Sequence, residues 1–169
     1  EGVTYLIEQI DGSYSTSATT DSAGRIFLDS IPVGSYRITE KNVPSNVILS
    51  EIPQEVYLEA GCTRTVTFFN AVKPSLTILK RNSVTGDPLS NAKFHIYYGS
   101  DNTTTGEIND LGVFTTASDG KITLTDVNRG WYKLVEESAP NGFGIQGSGV
   151  TEFYLEANTS KTVTVDNVP

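Results

Sequence analysis

Apolar and polar residues alternate along most of this chain, in short runs. In its second half the runs are Leu76–Lys80, Ala92–Tyr98, Val113–Thr116, Lys121–Thr125, Gly130–Glu136, Glu152–Leu155 and Ser160–Asn167. They are rich in Val, Ile, Thr, Tyr and Phe, and clusters of Gly, Asn, Asp and Pro separate them, which is the pattern of strands and turns. Helical periodicity is weak. The close spacing predicts an all-β fold, a sandwich or small barrel with antiparallel pairing. The polar stretch Gly99–Gly112 reads as a mobile loop.

The pattern occurs twice. Residues 19–47 and 115–143 align in a constant register, matching Gly24 with Gly120, Gly34 with Gly130, Tyr36 with Tyr132, Glu40 with Glu136 and Pro44 with Pro140. After a one-residue shift, Leu58-Glu59-Ala60 matches Leu155-Glu156-Ala157, and Thr65–Asn70 matches Thr162–Asn167. So long a repeat is a duplicated domain. Two tandem β-sandwich modules are expected, 1–72 and 73–169, joined at Ala71–Ser75, where Pro74 would stiffen a short linker. Gly2–Ile7 aligns with Asn91–Ile96, so the first module lacks a match to Leu76–Ser90. Either the chain is a piece of a longer polypeptide, as the absence of Met also implies, or another chain supplies that strand to an open edge.

Residues two apart on a strand share a face. Leu76, Ile78 and Lys80 therefore form one stripe, Tyr132, Leu134 and Glu136 a second, and Val163, Val165 and Asn167 a third. Each apolar stripe ends in a polar residue. The first module repeats two of them, Tyr36-Ile38-Glu40 and Val66-Phe68-Asn70, while its lysine would lie in the missing strand. A polar tip at the rim of a domain can reach water, yet the same two residue types recur at matching places. Buried, unpaired charges neutralise or pair. A lysine held neutral is a nucleophile, and a protonated glutamic acid can polarise a carboxamide. Lys80 and Asn167 could then join through an isopeptide with loss of one ammonia, assisted by Glu136. Such a reaction occurs once per molecule and makes no enzyme. Glu137 lies on the opposite face and is excluded as the assistant by parity.

Charge narrows the partners. The chain carries 12 basic and 20 acidic residues, a net −8. Both halves are acidic, which disfavours nucleic acid and anionic membranes. No apolar run is long enough for membrane insertion, and no signal peptide is visible. Cys62 is alone, so no internal disulfide can form, and it sits in a turn with no group to activate it. Asp119 and Asp126 lack calcium-loop spacing, so no metal is expected, and no cofactor either.

Several ordered motifs carry a resemblance that spans Ser75–Val168. They are Leu79-Lys80-Arg81-Asn82 with Thr85-Gly86-Asp87-Pro88-Leu89, Ala92-Lys93-Phe94, Asp119-Gly120-Lys121-Ile122, Gly130–Pro140 and Val163-Thr164-Val165-Asp166-Asn167. Together they resemble the Cna B-type (SpaA-like) domains of Gram-positive surface adhesins and pilins, with a prealbumin-like, reversed immunoglobulin-type sandwich. The resemblance implies a cross-link of Lys80 to Asn167 assisted by Glu136. Glu40 holds the equivalent place in the first module, where Asn70 would need a lysine from outside this chain. It also implies an extracellular, cell-wall-anchored stalk whose partners are neighbouring modules of the same polypeptide. The alternative is direct binding of a host protein or glycan, for which Tyr97, Tyr98, Trp131 and Phe143 are the aromatic candidates. Three further readings are weaker. Glu136 with Glu152 or Asp119 could form a hydrolytic pair, but no spacing brings them together. Cys62 with Gln54 or Gln146 could form a thioester, without support from position. Lys73 in the linker lacks a polymerisation motif.

Overall fold

The structure, a computed structural model, describes residues 1–99 and 108–169. It divides into two compact units, Glu1–Val72 and Lys73–Pro169. Among the described residues the regular elements are all strands.

The first unit holds β1 (Thr4–Gln9), β2 (Ser15–Thr19), β3 (Gly34–Asn42) and β4 (Gln54–Leu58). They form one antiparallel sheet in the order β2-β1-β3-β4. Val3, Tyr5, Ile7 and Tyr36 centre its core, with Ile26, Leu28 and Phe68 packed against them. The stripe Val66-Phe68-Asn70 keeps its alternation of half-buried and exposed residues, but 62–70 is not a strand, and neither is 25–29. The cause is visible in the second unit, where the two matching segments both pair with one strand. Residues 1–72 contain no counterpart of that strand, and side-chain patterning alone does not make a ladder.

The second unit has β5 (Ser75–Asn82), β6 (Lys93–Gly99), β7 (Ile108–Thr115), β8 (Lys121–Leu124), β9 (Gly130–Ser138), β10 (Gly144–Ile145), β11 (Val150–Leu155) and β12 (Ser160–Val168). Two four-stranded sheets result, ordered β10-β12-β5-β8 and β11-β9-β6-β7. Leu76 and Ile78 of β5, Phe94 and Ile96 of β6, Tyr132 and Leu134 of β9, and Leu155 of β11 share one core cluster. Two expectations need correction. The pairing is not wholly antiparallel: β12 runs parallel to β5, because nearly the whole unit serves as the connection between these two strands. Of the expected loop Gly99–Gly112, Gly99 closes β6 and 108–112 belongs to β7, while 100–107 lies outside the described residues. Pro74 is fully buried, and its carbonyl accepts a hydrogen bond from Val127 N.

One turn fixes the end of β5. Gly120 has φ +73°, and its carbonyl accepts from Lys80 N at 2.8 Å. A Cβ there would come within 2.7 Å of Lys80 O and 2.9 Å of Leu89 N. Both the left-handed backbone and the close approach require glycine. Gly120→Ala is expected to destabilise the second unit by about 1–3 kcal/mol, read from its urea midpoint; an unchanged midpoint would show that the turn yields freely.

Candidate functional site

Three strands deliver polar groups into the apolar interior of the second unit. On β5 the inward row is Leu76, Ile78, Lys80, and on β9 it is Tyr132, Leu134, Glu136. On β12, Asn167 lies one same-face step beyond Val165, the register partner of Lys80. Lys80 and Asn167 are 0% exposed and Glu136 5%. The glutamate bridges the other two: Lys80 Nζ donates to Glu136 Oε2 at 2.9 Å, and Asn167 Nδ2 donates to Glu136 Oε1 at 2.8 Å. Lys80 Nζ also lies 5.7 Å from the centre of the Phe94 ring.

Electrostatically this is an expensive arrangement. Burial pushes the Lys80 pKa down, and the hydrogen bond and charge of Glu136 only partly oppose it. Desolvation of a buried ion pair can exceed its mutual attraction. Asn167 Oδ1 is buried with no hydrogen-bond partner. The orphan follows from the charge state: a carboxylate only accepts, so it takes the Nδ2 end of the amide. A protonated Glu136 could instead donate to the oxygen. One proton moved from Lys80 to Glu136 would therefore free an amine and create a donor for the carbonyl, in a dry site.

The first unit holds a related pair. Glu40 is buried at 3% exposure, and Asn70 Nδ2 donates to its Oε1 at 2.8 Å and its Oε2 at 2.9 Å. Ser50 N donates to Oε2 and the Tyr5 hydroxyl to Oε1 at 3.1 Å. Burial and then the Glu40 hydrogen bond push the Tyr5 pKa up to about 12. Sequence reading missed Tyr5, although it aligns with Phe94 and differs by the hydroxyl that makes this contact. Among the described residues no lysine or arginine forms an ion pair with Glu40.

The remaining candidates are not brought together. Glu152 is exposed on β11, and Asp119 sits in the turn before β8, accepting from Lys121 N. Cys62 is exposed, and the Gln54 amide donates to Thr67 O. Lys73 is half-buried and Phe143 lines a cleft of about 580 Å³ with Pro88, Leu89, Ser138 and Pro140, none of them charged. Tyr98 packs on Tyr132 and Trp131 lies edge-on to Tyr154. No group of three or more His, Cys, Asp or Glu among the described residues is placed to hold a metal.

Glu137 faces away from the core and contacts His95, whose Nδ1 lies 3.0 Å from Glu137 Oε1 and Nε2 2.7 Å from Asp110 Oδ1. The hydrogen bond to Asp110, and then that to Glu137, raise the His95 pKa. A raised folded-state pKa stabilises the fold fully below the unfolded value of about 6.5. That contribution disappears as pH rises through the folded value. The melting-temperature gap between wild type and His95→Gln is thus expected to be largest below that pH and to shrink above it. A gap independent of pH would refute the assignment.

The family described as "SpaA: Prealbumin-like fold domain" matches residues 1–72 and 74–169. No curated protein matches the chain. Among solved structures it is similar to the Bacillus anthracis TIE protein, at 22% identity and TM-score 0.52, over 99% of this chain but 30% of that one. It is also similar to the minor pilin GBS52 of Streptococcus agalactiae (20% identity, TM-score 0.45, covering 99% and 83%). The shaft pilin SpaA of Lactobacillus rhamnosus GG gives 16% identity and TM-score 0.45, covering 99% and 87%. The two family matches, which leave out a single residue between them, make this chain a member of the SpaA prealbumin-like fold domain family.

Proposed function

We propose that the two units are stalk modules of an extracellular, cell-wall-anchored adhesin or pilin of a Gram-positive bacterium, and that the second locks itself with a Lys80–Asn167 isopeptide bond. One observation carries the reading: a single buried carboxylate holds both the lysine and the asparagine. The reaction starts with transfer of a proton from Lys80 Nζ to Glu136 Oε2. The freed amine attacks Cγ of Asn167 while the protonated acid donates to the amide oxygen. The Cγ–Nδ2 bond breaks as the new Nζ–Cγ bond forms, and Nδ2 leaves as ammonia with the proton shed by the amine. Ammonia departs neutral, and Glu136 keeps the proton taken from Lys80. The buried charge pair is gone afterwards, and the geometry needs no turnover.

The bond would join neighbouring strands that begin and end the unit, so tension entering at Ser75 and leaving at Val168 bypasses the core. Mass spectrometry tests the chemistry. The intact chain should weigh one ammonia less than its sequence, and a digest should yield a branched peptide joining residues 80 and 167. Full sequence mass, with two separate linear peptides, would leave an ordinary sandwich. In single-molecule pulling, the second unit should release no chain length between the two linked residues.

A further inference from the structure

The turn that follows β9 carries a reactive pair that the stalk reading does not use. Of all the asparagines in the chain, only Asn141 is followed by glycine. Pro140-Asn141-Gly142-Phe143 is a tight turn, closed by Phe143 N donating to Pro140 O at 3.0 Å. Gly142 has φ +85°, as a type II turn requires at its third residue. Both central residues are exposed. Among the described residues, neither the Asn141 carboxamide nor the Gly142 N–H has a protein hydrogen-bond partner. The first unit supplies an internal contrast. Pro44-Ser45-Asn46-Val47 stands at the matching place and closes in the same way, with Val47 N donating to Pro44 O at 2.9 Å. There the asparagine comes one position later. The nitrogen that follows it is the one engaged in closing the turn, and it belongs to a β-branched residue.

We propose that Asn141 is a site of spontaneous modification, its side chain closing on Gly142 N to a succinimide that water opens to isoaspartate or aspartate. The reacting atoms belong to adjacent residues, so the attack is intramolecular and closes a small, unstrained ring. Glycine puts only hydrogen beside the attacking nitrogen, and its backbone freedom lets the turn swing into the attack geometry. Water reaches both residues, so hydroxide can take the amide proton and hydrolysis can follow. In the ring-closing step the bond from Gly142 N to Asn141 Cγ forms and the Cγ–Nδ2 bond breaks. Ammonia leaves with the proton lost by the nitrogen. Water then adds at the backbone carbonyl of residue 141, giving isoaspartate, or at Cγ, giving aspartate. Either product adds a negative charge to a cleft whose lining is uncharged. Isoaspartate also adds one backbone carbon to the turn that leads into β10, whose Gly144 and Ile145 pair with Val168 and Asn167. The second unit thereby acquires a chemical mark of its age beside the end of β12.

The test holds the full chain at neutral and at mildly alkaline pH and follows its digested peptides by mass spectrometry. The peptide containing residue 141 is expected to lose ammonia, then to gain water and separate into isoaspartyl and aspartyl forms. Conversion should speed up as pH rises, because the attacking nitrogen must shed its proton. Peptides containing Asn46, Asn82 and Asn128 should convert far more slowly. Asn141→Ser, which copies Ser45 of the matching turn, should abolish the change at this peptide. Gly142→Asn should slow it strongly. Asparagine tolerates the left-handed backbone, and nothing lies within 4 Å of the place its Cβ would take, but its side chain crowds the closing ring. An Asn141 that stays intact, or equal rates in wild type and Gly142→Asn, would overturn the proposal. The succinimide shares its ammonia loss with the Lys80–Asn167 bond, yet it sits in a linear peptide and hydrolyses with time. The cross-link gives a lasting branched peptide, so the two readings stand or fall separately.

Discussion

Replacing Lys80 by alanine is expected to restore the full sequence mass and to lower the unfolding temperature of residues 73–169 on the order of 20 °C or more. The linked chain would close a loop of 87 residues, from 80 to 167. By analogy with disulfides, such closure is worth about 4–5 kcal/mol through the entropy of the unfolded chain. Each kcal/mol moves the midpoint of a domain this small by roughly 4–8 °C. Asn167→Ala removes the same bond but keeps the Lys80–Glu136 ion pair. Its melting temperature should therefore fall less than that of Lys80→Ala, which strands Glu136 in the core. Calorimetry alongside mass spectrometry separates the two. A wild type already at its full sequence mass would remove the cross-link from consideration.

Glu136→Gln should keep the fold and its contact to Asn167 but leave the chain at full mass, because a carboxamide cannot take the proton of Lys80. Glu136→Ala is expected to be worse. It removes the counter-charge from a fully buried amine, and breaking a buried pair in this way costs about 3–5 kcal/mol. Lys80 already has a lowered pKa through burial, and losing Glu136 removes the chief opposing influence. In the folded variant it would be neutral while the unfolded chain still binds a proton. Stability of Glu136→Ala should therefore climb as pH rises, through the window between the depressed folded value and the ordinary one near 10.5. Denaturant midpoints across that range check the slope. A flat profile, or either variant losing ammonia, would show that Glu136 is not the proton carrier.

Much of this architecture was legible in the residues, and where it was not the cause is physical. Period-two alternation suffices to put Lys80, Glu136 and Asn167 on inward faces, because the pleat leaves a strand no other choice. The repeat locates Glu40 and Asn70 by the same logic. Strand direction is different: nothing local in Ser160–Val168 says that it runs parallel to Ser75–Asn82, since that depends on the path of everything between them. Gly144–Ile145 is too short to show a period. Residues 62–70 display a strand pattern and form no strand, because hydrogen bonding requires a neighbour that alternation cannot supply. Tyr5 was legible only by comparing the copies, where tyrosine stands against phenylalanine.

The parallel alignment of β5 and β12 has a mechanical consequence. Pulling the start of one and the end of the other drags the two strands past each other lengthwise. Their hydrogen bonds are then loaded side by side in shear and cannot peel one at a time, so the second unit is built to resist extension even before any covalent chemistry occurs.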